Sequence, residues 1–105
     1  MNTADISPFL PDFSRLPRTT KLMRGEGIFV FLLHLKAEEE MPEHQVRGPI
    51  TVHCLHGRAL FVTGEDNLDL LPGTLVSLPG GAPHRLIART ASLLLVSVCE
   101  QVTGR

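Results

Sequence analysis

Short apolar runs alternate with turn-forming residues along most of the chain. Residues 28–36 read IFVFLLHLK and residues 92–99 read SLLLVSVC, both apolar and of strand length, the first rich in β-branched and aromatic side chains. Gly25-Glu26-Gly27, Gly48-Pro49, Gly57, Gly64-Glu65-Asp66-Asn67 and Pro72-Gly73 punctuate the pattern. The runs so bounded predict strands at 18–23, 28–36, 50–55, 58–62, 68–71, 74–78, 85–88 and 92–99. Residues 37–42, where Glu38-Glu39-Glu40 precede Pro42, read as a loop. No segment carries a 3.6-residue apolar period through three turns. Nine or so strands at roughly 8–10-residue spacing predict an all-β fold, a small single-domain β-barrel.

Residues 1–17 break that pattern. They hold three of the eight prolines (Pro8, Pro11 and Pro17) and show no sustained period. They predict an extended arm whose Phe9, Leu10, Phe13 and Leu16 dock on the barrel or on a second subunit. Residues 18–105 then form the barrel domain.

Composition works by exclusion. The 105 residues suit one domain, and 43% apolar with 20% charged residues is ordinary globular composition. A net charge of −1, with Lys and Arg scattered, removes the electrostatic case for nucleic acid or an anionic membrane as partner. No apolar run approaches the roughly 20 residues that span a bilayer. The start, MNTADISPFLPDF, lacks the basic region and apolar stretch of a signal peptide. Cys54 and Cys99 lie far apart inside apolar runs and read as free core thiols, which fits a reducing, cytoplasmic setting.

Candidate chemistry gathers in PGTLVSLPGGAPHRLIA, residues 72–88. Pro79 ends a strand's hydrogen-bonding ladder, Gly80-Gly81 permit a tight connection with φ > 0, and Pro83 restricts Ala82 to an extended shape. His84 therefore enters the next strand at a nearly fixed height. The spacing of Gly73, Pro79, Gly81 and His84 resembles the second motif of the cupin superfamily, with Ala88 where that pattern continues to Asn. The first cupin motif is His, any residue, His, three or four residues, Glu, six residues, Gly. Residues 43–57, EHQVRGPITVHCLHG, are similar in part: His44 and Gly57 match, Val46 stands in place of the second His, and Ile50 in place of the Glu.

The resemblance covers about residues 33–98. It implies a double-stranded β-helix of the jelly-roll type, a ligand or metal site at the barrel mouth, and a homodimer. If Ile50 takes the family's inward Glu position, Val52 and Cys54 also face in, while Thr51, His53 and Leu55 face out. His56 then belongs to the far end of the barrel beside Gly57. His34 shares a face with Lys36, opposite the more uniform apolar face of Phe29, Phe31, Leu33 and Leu35. His44 and His84 are left as the convergent pair.

The implied ligand pocket is His44, Val46, Ile50, Val52, Cys54 and His84. Two functional readings stand beside each other. In one, the barrel binds a small organic ligand and the two imidazoles orient its polar group. In the other, His44 and His84 weakly hold a divalent metal (zinc, nickel, iron or copper) in an enzyme of the isomerase or dioxygenase kind. A third, a sensory module, requires a separate partner, because no helix-turn-helix segment follows Val98. No catalytic residue is assigned.

Overall fold

The computed structural model describes residues 1–100; residues 101–105, the last five of the expected barrel domain, lie outside the described residues. After a 3-10 turn at Ser7–Phe9 come β1 (Thr19–Gly25), β2 (Ile28–Leu35), β3 (Glu40–His44), β4 (Ile50–His56), β5 (Ala59–Thr63), β6 (Asp66–Leu70), β7 (Leu75–Leu78), β8 (His84–Ala88) and β9 (Ser92–Cys99). They form a five-stranded sheet, β1-β2-β9-β4-β7, and a four-stranded sheet, β3-β8-β5-β6, with every pairing antiparallel. The fold is the all-β barrel that strand spacing predicts, in the jelly-roll form that the resemblance implies.

Alternation explains which residues fill it. Along β4, Ile50, Val52 and Cys54 are buried while the residues between them are partly exposed. Along β8, His84, Leu86 and Ala88 are buried in the same alternation. Leu33, Leu35, Leu94 and Val96 from the larger sheet meet Phe61, Leu70 and Leu86 from the smaller one in a single core. Each such side chain contributes about 1.5–3 kcal/mol when fully buried.

Three expectations need correction. Cys99, expected in the core, is exposed at the end of β9. Residues 37–42 are not simply a loop, because β3 begins at Glu40 and runs through Pro42. A proline is tolerated there because β3 is the edge of its sheet and needs no outward N–H bond. The arm, residues 1–17, is not wholly extended, since it contains the 3-10 turn. Its Phe13 lies edge-on to His34 (centroids 5.4 Å apart) and stacked on His56 (5.3 Å). The His34 Nδ1–H donates to the Leu16 carbonyl at 2.9 Å. Leu93 pairs in register with both His34 and His56 and is fully buried. Phe13 thus covers part of the arm's own sheet.

Candidate functional site: two imidazoles in an apolar cavity

The connection that delivers His84 is tighter than its sequence suggests. Gly81 has φ +83°, and its N–H donates to the Val46 carbonyl at 2.7 Å. At Gly80 the constraint is contact: a Cβ there would lie 1.9 Å from the Arg47 carbonyl oxygen. The two glycines therefore clamp the 79–83 turn against the segment that follows His44.

His84 opens β8 and is only 4% exposed. The Phe61 ring stacks on it almost parallel, at 8° with centroids 5.7 Å apart. Its Nδ1 lies 3.0 Å from the Ala82 carbonyl. A carbonyl only accepts, so Nδ1 carries the proton and the neutral ring keeps a bare Nε2. Burial pushes the His84 pKa below the ordinary imidazole value, the bond to Ala82 opposes that shift, and the nearby His44 charge adds to it.

His44 reaches the same point through an irregularity. Met41 is paired with Leu86 and His44 with His84, so three steps along β3 match two along β8. A regular strand would set Glu43 opposite His84 and turn His44 to the other face. The extra residue is a β-bulge, which restores His44 to the face of Met41 and His84. The two rings then meet with centroids 4.3 Å apart at 61°. His44 mirrors its partner: its Nδ1 lies 3.0 Å from the carbonyl of Pro42, again two residues earlier. It is exposed at the rim, whereas His84 is buried.

Both rings line a cavity of about 230 Å³. Val46, Ile50 and Val52 line it together with Met41, Leu86, Val96, Val98, Phe29, Phe31 and Leu33. Among the described residues, the imidazoles are the only polar side chains in that lining. Cys54 faces the core and lies outside the lining; its thiol donates weakly to the carbonyls of His56 (3.5 Å) and Gly57 (3.8 Å). Burial pushes that thiol's pKa up, so it is a protonated core group. The apolar face of β2 was visible as a pattern, but that it walls the cavity was not. The stacking of Phe61 under His84 had no sequence signal, because it depends on β5 pairing with β8.

A metal can be tested against this donor set. Among the described residues no group of three or more His, Cys, Asp or Glu side chains converges to hold an ion. Two imidazoles flanked by Val46 and Ile50 fall short of the three or four protein ligands a resident zinc takes. The residues present do not fit a resident metal site.

No family model matches the sequence, and no curated protein matches it either. Solved structures do match in shape. A cupin superfamily protein from Desulfitobacterium hafniense superposes with a TM-score of 0.76 at 17% identity, over 79% of this chain and 76% of that one. An RmlC-like cupin from Desulfovibrio desulfuricans gives 0.70 at 24% identity, over 78% and 82%. A variant of salicylate 1,2-dioxygenase from Pseudoaminobacter salicylatoxidans gives 0.68 at 19% identity, over 70% of this chain and 21% of the other. The chain has the fold of a small cupin, a fold that also occurs in an enzyme. Among the described residues no helix is long and apolar enough to cross a membrane.

Proposed function

We propose that this protein binds a small organic molecule inside the barrel, with His44 and His84 at the cavity mouth orienting its polar group. The observation that supports this reading most is the contrast within the lining: among the described residues, an apolar wall interrupted only by two imidazoles. Such a cavity removes the apolar part of a ligand from water and aligns the remainder through a few fixed polar atoms. The free thiols Cys54 and Cys99 suit a reducing, cytoplasmic setting.

Two measurements test the proposal. In a fragment screen followed by methyl NMR, ligands should shift the methyl groups of Ile50, Val52, Leu86 and Val96. Shifts confined to other surfaces would overturn it. Elemental analysis of protein purified without chelators or an affinity tag should find less than about a tenth of an equivalent of metal. A full equivalent that disappears in a His44→Ala, His84→Ala double variant would instead establish the metal-dependent reading. The paired Nδ1–carbonyl bonds favour that second reading to one extent: metal-bound imidazoles are commonly oriented the same way.

A further inference from the structure

The chemistry of the ligand can be narrowed from the two ring tautomers. Both Nδ1 atoms face backbone carbonyls at 3.0 Å, so neither Nδ1–H is available to a ligand. What each neutral ring can offer a ligand is a lone pair at Nε2, an acceptor and not a donor. Among the described residues the cavity lining supplies no other polar side chain, acidic or basic.

Three ligand classes can be compared on that basis. A carboxylate or phosphate needs donors or positive charge, and rings whose Nδ1–H is committed to a backbone carbonyl offer neither unless Nε2 takes up a proton. The low proton affinity of buried His84 works against creating that charge. An ammonium ion can donate, but among the described residues a cation in this lining meets no carboxylate, so nothing offsets the cost of desolvating it. A neutral hydroxyl can donate one proton to a bare Nε2 and keep its own lone pairs toward the wet rim. The exposed His44 can be satisfied by solvent, whereas the buried His84 depends more on the ligand. Volume sets the scale: a dry cavity of about 150 Å³ holds benzene, so about 230 Å³ suits roughly ten heavy atoms.

We propose that the ligand is a small, uncharged, largely apolar alcohol or phenol whose O–H donates to Nε2 of His84, with His44 closing the rim beside it. This rests on reading the cavity as the ligand site.

Phenol, anisole and benzoate are matched probes, used with the full chain at pH 7.5 after dialysis against chelator, with cavity methyl shifts as the readout. Phenol should bind about tenfold or more tightly than anisole, which keeps the ring and loses the donor, and than benzoate, which adds the charge. In His84→Leu that preference should disappear while the apolar probes still bind. Nitrogen-15 NMR of the unmodified protein should show Nδ1 protonated and Nε2 bare in both rings, a measurement that needs no variant to fold. Equal affinities for phenol and anisole, tighter binding of benzoate, or protonated Nε2 atoms would overturn the hydroxyl assignment and leave the ligand cavity standing. If none of the three moved the cavity methyls at millimolar concentration, the cavity reading would fall and this inference with it.

Discussion

His34 and His56 flank Phe13 on the outer side of the larger sheet, while His44 and His84 meet ring to ring across β3 and β8. Both couples rest on strands, and both have an aromatic neighbour, Phe13 in one case and Phe61 in the other. They differ in what adjoins the rings. At the first couple the arm fills the space and gives the Leu16 carbonyl to His34. At the second, the chain's own carbonyls take up the Nδ1 atoms, and the other edges border a cavity. A histidine's use in this barrel follows from whether the chain itself covers it.

Breaking the contrast should have its largest effect through Phe61, which is 1% exposed and backs His84. Phe61→Ala is expected to destabilise the protein by about 3–5 kcal/mol in chemical denaturation. A loss under about 1 kcal/mol would mean that His84 is not seated on the core. Phe13→Ala comes next. It should cost about 1–3 kcal/mol by loosening the arm and leave cavity methyl signals in place; if those signals move, the two histidine couples are not independent.

Acid sharpens the comparison further. The folded-state pKa of His84 is depressed by burial, so the unfolded chain takes up that proton more readily. The contribution of this group is fully present above its unfolded value of about 6.5 and is lost as pH falls through and below it. Stability measured from pH 7.5 to pH 5 should therefore decline less steeply in His84→Asn than in the unmodified protein. Parallel slopes would contradict the burial argument. The smallest effect is expected at the rim, where His44→Ala should leave the denaturation midpoint within error because the side chain is exposed. A clear drop would show that this ring is packed.

The strand pattern carried most of the architecture, because apolar runs bounded by glycine and proline lie where β2, β4, β5, β7, β8 and β9 form. The inward parity of Ile50, Val52 and Cys54 was legible for the same reason. The mount of His84 was legible too, since Pro79, Gly81 and Pro83 restrict the backbone locally. What the sequence could not display was β3. Its apolar content is a single methionine between charged residues and a proline, and its pairing partners lie forty or more residues away. The bulge that turns His44 inward is a property of that pairing, so counting alternation along one strand does not reveal it. Nor did alternation explain why His34, on the outer face, is buried: its cover is the distant arm.

Pro42 and the glutamates around it have a consequence beyond the placing of His44. An uncovered sheet border offers free amides and carbonyls to any extended segment that comes near. On β3 a residue without an amide hydrogen, an irregular step in the ladder and the acidic Glu40 and Glu43 together spoil that template. The strand that holds the rim imidazole in position is thereby a poor seed for cross-β fibres.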